Sequence, residues 1–177
     1  MDFTKIEERS IFHKGGCTMQ GTKQAIFMLG NEEYGFDIMD VKIIEKVIPI
    51  EPTANLPKNL KGIIRLRGDV IPVYSLRRKF GLEDIAADEN TRFIITTSNG
   101  ILMAYEVDRM KEIVQFEAEQ VFDAPSVVLR KDTSYMKCVC RIDERLVIVI
   151  NHDGILTEEE QSGLREVVNK LQHEQNS

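Results

Sequence analysis

Leu60-Lys61-Gly62-Ile63-Ile64-Arg65-Leu66-Arg67-Gly68-Asp69-Val70-Ile71-Pro72-Val73-Tyr74 is the stretch on which the fold turns. Two short runs rich in β-branched residues flank a polar turn, Arg67-Gly68-Asp69, and this pattern reads as a β-hairpin. The same grammar recurs outward in both directions. Ala25–Leu29 and Tyr34–Ile38 flank Gly30-Asn31-Glu32-Glu33, Arg92–Thr97 and Ile101–Val107 flank Ser98-Asn99-Gly100, and Cys138–Ile142 and Leu146–Ile150 flank Asp143-Glu144-Arg145. Many short strands separated by turn signals predict an all-β barrel or sandwich.

The hairpins also pair with one another. Phe36-Asp37-Ile38-Met39-Asp40-Val41-Lys42-Ile43-Ile44 lies 69 residues before Tyr105-Glu106-Val107-Asp108-Arg109-Met110-Lys111-Glu112-Ile113, with aromatic, acidic, β-branched and Lys positions matched. Ile64-Arg65-Leu66 and Val70–Tyr74 match Cys140-Arg141-Ile142 and Leu146–Ile150 at an offset of 76. Two copies of one small β unit, each closing its own edges as a barrel, would produce this repeat. The acidic stretch Glu83–Asn90 is the expected boundary, giving subdomains at about 23–82 and 91–151 that exchange strands. Residues 1–22 read as a loose polar arm. In the tail the period changes: Thr157-Glu158-Glu159-Glu160 is a capping box, and Leu164, Val167, Val168 and Leu171 follow at helical spacing. A helix over 157–172, docked on the barrels, is expected.

The chain has 177 residues and a net charge of −6, with 42% hydrophobic and 29% charged residues. An acidic balance argues against nucleic acid as the main partner, because phosphate contacts need a basic face. The average hides an uneven distribution. Between Lys58 and Lys79 stand Lys58, Lys61, Arg65, Arg67, Arg77, Arg78 and Lys79 against Asp69 alone, a net of +6 that leaves −12 elsewhere. With only Tyr74 and Phe80 nearby, the window lacks the interleaved aromatics of a base-stacking surface and reads as a protein-docking face. Apolar runs no longer than Leu146–Ile150 predict no membrane span, and the polar N-terminus lacks the order of a signal peptide, so a cytoplasmic location is expected.

Catalytic signatures are missing: no phosphate-binding glycine loop, no dinucleotide fingerprint and no His-Glu-x-x-His occurs. His13, His152 and His173 belong to no recognisable acid–base arrangement. Cys138 and Cys140 fall on one strand face and read as small buried hydrophobes; a metal site would need more ligands, which only His13 and Cys17 could add. No enzyme, cofactor or metal is therefore expected. A small-molecule- or metal-binding barrel acting as a sensor is the alternative from another functional class.

Five segments together resemble the bacterial chemotaxis coupling protein family, CheW, from about Gln24 to Gly163. They are Asn31–Ile38 with Val41, Leu60–Val73, Leu76 with Phe80-Gly81-Leu82, Glu106–Met110, and Asp143–Ile150. The resemblance implies two intertwined five-stranded SH3-like β-barrels with a C-terminal α-helix, in a CheW-like domain over 23–163. It implies a non-catalytic adaptor that joins the cytoplasmic tips of chemoreceptors to the histidine kinase CheA, within membrane-associated receptor arrays and without inserting into the membrane. The receptor tip, a helical hairpin, would lie in an apolar groove between the barrels, and the kinase's regulatory domain on the barrel ends.

Carried over by position, the groove residues are Val41, Ile44 and Ile113 for apolar contact, Gly62 and Ala104 for close approach of a helix backbone, and Arg67 for pairing across the junction. The motifs assign no residue to the kinase contact. Several positions depart from the family pattern. Ser75 and Asn151 stand where Asp is usual, Ala104, Cys138 and Cys140 where Gly is frequent, and Arg65 adds a cation beside Arg67. These departures bear on partner choice, with a divergent family member outside chemotaxis as the further alternative.

Overall fold

A computed structural model describes residues 23–123 and 135–176; the arm 1–22, with His13 and Cys17, lies outside the described residues. The chain divides into two compact units, each assembled from separate stretches of sequence. The first comprises residues up to 39 together with 111–155, and the second comprises 40–110 together with 156–177. The acidic stretch 83–90 therefore lies inside the second unit rather than at the boundary. The chain changes unit at 39/40, 110/111 and 155/156, and the first two of these crossings fall within the segments matched by the 69-residue repeat.

The first unit's sheet contains β1 (Lys23–Leu29), β2 (Glu32–Asp37), β8 (Arg109–Gln115), β9 (Val121–Asp123), β10 (Met136–Ile142) and β11 (Arg145–Ile150), in the order β8-β1-β2-β11-β10-β9. The second contains β3 (Val41–Lys46), β4 (Leu60–Leu66), β5 (Asp69–Ser75), β6 (Arg92–Ser98) and β7 (Ile101–Val107), in the order β3-β6-β7-β5-β4. Aligning β3 with β8, β6 with β1, β7 with β2, β5 with β11 and β4 with β10 makes the two orders identical. The registers agree as well. Val73 pairs in parallel with Ala104, and offsets of 76 and 69 carry that pair onto Val149 and Gly35, which are themselves paired. Five strands were expected in each unit; the first has a sixth, because β9 adds a three-residue ladder to β10. In the second unit the single bridge Glu51–Ile63 stands at the equivalent place.

Local chemistry explains the turns. The β4–β5 and β6–β7 hairpins close through Arg67-Gly68 and Asn99-Gly100, all four residues having positive φ between 52° and 84°. Two successive left-handed residues make the primed turn whose twist matches that of paired strands. Alternation then sets each core. Ile26, Phe116, Val121, Cys138, Cys140, Val147 and Val149 pack together in the first unit, so both thiols are buried among apolar neighbours. Ile64, Ile71, Val73, Phe93, Ile95 and Ala104 do so in the second. Burying a side chain such as Phe93 is worth about 2–3 kcal/mol.

The C-terminal helix spans Glu158–Asn176, longer at its end than the 157–172 expected. Its capping box is formed as expected. Thr157 Oγ1 accepts from the Glu160 amide at 3.1 Å, and the Thr157 amide donates to Glu160 Oε2 at 3.0 Å. Leu164 is fully buried, and Val167, Val168 and Leu171 are half-buried. Within the second unit Glu160 also meets buried Tyr74 and Asn59, and Arg165 donates to the Asn99 carbonyl at 2.6 Å. Helix and sheet are thereby locked at several points.

Ser75 and Asn151 are related by the 76-residue offset, and the structure gives them one role. Ser75 Oγ accepts from the Arg78 amide at 3.2 Å and caps the short helix Leu76–Lys79. Asn151 Oδ1 accepts from the Asp153 amide at 3.2 Å and caps the turn His152–Gly154. Asp, Ser and Asn are near-equivalent N-caps, so both departures keep the local chemistry intact.

Candidate interaction surfaces

β3 and β8 each stand at one end of their sheet's strand order, with no second hydrogen-bonded strand among the described residues. β3 exposes Lys42, Ile44 and Lys46 while Val41, Ile43 and Glu45 are half-buried. Ile43 packs against the second unit's core, and a bulge between Val41 and Ile43 interrupts the register with β6. β8 exposes Lys111, Glu112 and Ile113, while Val114 packs against the first unit's core. Charged flanks discourage edge-to-edge pairing. Set among them, Ile44 is 39% and Ile113 58% exposed, and the two are equivalent by the 69-residue offset. An exposed isoleucine at the same place in both copies of a repeat is a patterned feature, not scatter.

Gly62 and Ala104 have different roles from those expected of groove-lining residues. Both pair with Val73, one on each side of it. Ala104 has no exposed surface and belongs to the second unit's core, where its small size suits packing against Val73 and Ile95. Gly62 is buried with φ +152°, and a Cβ there would run into the Glu51 carbonyl oxygen and approach Ile50 Cγ2 to 2.7 Å. The backbone that comes close to Gly62 is the chain's own. Glu51 and Ile63 exchange hydrogen bonds of 2.8 and 3.0 Å. These two residues shape the sheet and offer a partner no surface.

Most of the cationic window is already paired. Lys61 meets Glu106 at 2.9 Å, Arg65 meets Glu51 at 3.0 Å, Arg77 meets Asp108 at 2.6 Å and Arg78 meets Asp84 at 2.9 Å. Asp108 hydrogen-bonding holds the Arg77 guanidinium above its usual value despite burial, and Arg78 holds the Asp84 carboxyl below its own. All four acids lie outside the window, so its net +6 is largely neutralised in three dimensions. Arg67, like Lys58 and Lys79, makes no ion pair among the described residues, and it is the arginine of the three, exposed at a hairpin tip.

A second ion cluster holds β8 in place. Buried Glu33 on β2 accepts from Lys111 Nζ at 2.8 Å and from Arg145 at 2.8 and 2.9 Å, and Arg145 also reaches Glu112 at 2.7 Å. Burial alone would raise the Glu33 pKa; the two cations outweigh it and leave the carboxyl below the ordinary glutamate range. A depressed folded-state pKa stabilises above the unfolded value, and that contribution is lost as pH falls through the folded value. Glu33→Gln is therefore expected to cost about 1–2 kcal/mol at neutral pH. In thermal melts from pH 7 to 3, the gap between parent and variant should close as the pH drops. A gap that stays constant would remove Glu33 from the acid response.

No described helix is long and apolar enough to cross a membrane, and no group of three or more His, Cys, Asp or Glu among the described residues could hold a metal.

Two β units of one strand order, each displaying a matched isoleucine on its outer strand, define a scaffold of the SH3-like barrel class. The CheW-like domain model matches residues 24–160. The chain is 34% identical over 140 residues to the chemotaxis protein CheW of Klebsiella aerogenes, covering 79% of this chain and 84% of that one. It is 27% identical over 139 residues to the chemotaxis protein CheW of Bacillus subtilis, covering 78% and 89% respectively. The crystal structure of the scaffolding protein TtCheW from Thermoanaerobacter tengcongensis superposes with a TM-score of 0.71 at 28% identity, covering 78% of this chain and 94% of that one. The chain belongs to the CheW family, and it is a chemotaxis coupling and scaffold protein.

Proposed function

We propose that this protein couples chemoreceptors to the histidine kinase CheA by binding both, without turnover, at the cytoplasmic face of receptor arrays. The receptor's helical hairpin is recognised by the exposed isoleucines Ile44 and Ile113, by half-buried Val41 and by Arg67. The observation that carries this is Arg67. In a window where four cations are taken by internal acids, this exposed guanidinium is left available to a partner. Arginine at such a position offers a planar fork of donors, and exposed apolar side chains suit the apolar face of a helix. Gly62 and Ala104 contribute by fixing the β4–β5–β7 sheet that carries the Arg67 hairpin.

Favouring this reading over a metal or small-molecule sensor, Cys138 and Cys140 are consumed by the first unit's core. Co-sedimentation tests the proposal. The purified chain should pellet with receptor cytoplasmic fragments assembled on vesicles and should bring CheA with it. A chain that stays in the supernatant under conditions where receptor and kinase pellet would overturn it.

A further inference from the structure

The last turns of the C-terminal helix pose a physical question. Beyond Leu171 the sequence Gln172-His173-Glu174-Gln175-Asn176 contains no apolar residue, yet the helix continues. Terminal turns fray unless something ties them down. Here two glutamines do so. Gln172 Nε2 donates to the Gly68 carbonyl at 3.4 Å, and its Oε1 accepts from the Val70 amide at 3.3 Å. Gln175 Nε2 donates to the same Gly68 carbonyl at 3.1 Å, while its Oε1 accepts from Arg65 Nη1 at 3.2 Å. Spaced three apart, the two amides lie on one face of the helix. They grip residues 65, 68 and 70, on both sides of Arg67, and leave its guanidinium untouched.

We infer that Gln172 and Gln175 are positioning residues for Arg67: they hold the β4–β5 hairpin tip in one conformation, so that the guanidinium meets the receptor already oriented. The inference rests on the proposed role of Arg67 in receptor binding. A primed turn at the end of two strands is free to rock. Ordering it in the unbound protein removes a cost that binding would otherwise carry. The four hydrogen bonds also give the helix extension a purpose that its apolar stripe does not.

The test uses the full chain and a soluble chemoreceptor cytoplasmic fragment as probe, with four proteins: the parent, Arg67→Ala, Gln172→Ala/Gln175→Ala, and the triple variant. Loss of orientation is expected to weaken the glutamine variant about fivefold and Arg67→Ala about tenfold, with the triple variant no weaker than Arg67→Ala alone. Hydrogen exchange at the Val70 amide should accelerate about tenfold in the glutamine variant, while the melting temperature falls by several degrees and the variant stays folded at the temperature of the binding measurement. Parent-like binding by the glutamine variant, with Arg67→Ala weakened, overturns the inference and leaves the binding role of Arg67 standing. Full additivity in the triple variant overturns it too, because the glutamines would then touch the receptor themselves. Parent-like binding by Arg67→Ala removes Arg67 from the receptor site and takes the inference with it.

Discussion

Gly62→Ala is expected to destabilise the protein by about 3 kcal/mol or more. The added Cβ would collide with the Glu51 carbonyl oxygen, a backbone atom that cannot rotate away. To make room, the chain must give up the pair of hydrogen bonds between Glu51 and Ile63, each worth about 1 kcal/mol net. The φ of +152° adds strain for any side chain. Gly100→Ala separates these effects. Gly100 also has positive φ, +81°, but a Cβ there meets nothing within 4 Å. Strain alone should cost it about 1–2 kcal/mol. Urea denaturation of the two variants should therefore show the Gly62 midpoint falling well below the Gly100 midpoint. Equal losses would mean that the Glu51 approach contributes nothing.

Arg67→Glu is expected to do the reverse: to leave folding alone and weaken receptor binding at least tenfold. The parent residue already occupies the left-handed region, φ 52°, so replacing one side chain by another adds little backbone strain. It makes no ion pair among the described residues, and exposed positions of this kind change stability by about 0.5 kcal/mol or less. At a recognition surface the reversal converts an attraction into a repulsion, and each tenfold in affinity corresponds to about 1.4 kcal/mol. Isothermal titration with a receptor cytoplasmic fragment, paired with a thermal melt of the variant, reads both quantities. Unchanged affinity in a normally folded variant would remove Arg67 from the site.

The contrast between Gly62 and Arg67 shows what a sequence reveals and what it conceals. The four hairpins are legible because apolar alternation and turn residues are local signals; turns form at Asn99-Gly100 and Arg67-Gly68, within the segments read as turns. The repeat was legible too, and the equal strand orders give it physical meaning. Its consequence for the unit boundary was not drawn. Glu83–Asn90 looks like a linker in composition, while two of the three crossings, at 39/40 and 110/111, fall inside the matched segments. These two crossings look alike because at each the chain leaves one sheet, after β2 or β7, and enters the other, at β3 or β8.

Long-range pairing was the main thing hidden. Lys61 and Glu106 are 45 residues apart, so the cationic window reads as barer than it is, and the Glu33–Arg145 pair, 112 apart, leaves no local trace either. A small residue such as Ala104 carries the same ambiguity: close approach by a partner and close packing within a sheet ask for the same side chain. Only burial separates the two. Gln172 and Gln175 escaped notice because polar residues at a helix end carry no periodic signal of their own.

The most direct test of the coupling role is receptor control of CheA autophosphorylation, measured with receptor cytoplasmic fragments on vesicles, with and without this protein. Phosphorylation of CheA should rise only when all three components are present. Arg67→Glu should lose most of that rise while remaining folded. Receptor-controlled CheA activity that is the same whether or not this protein is added would contradict the account.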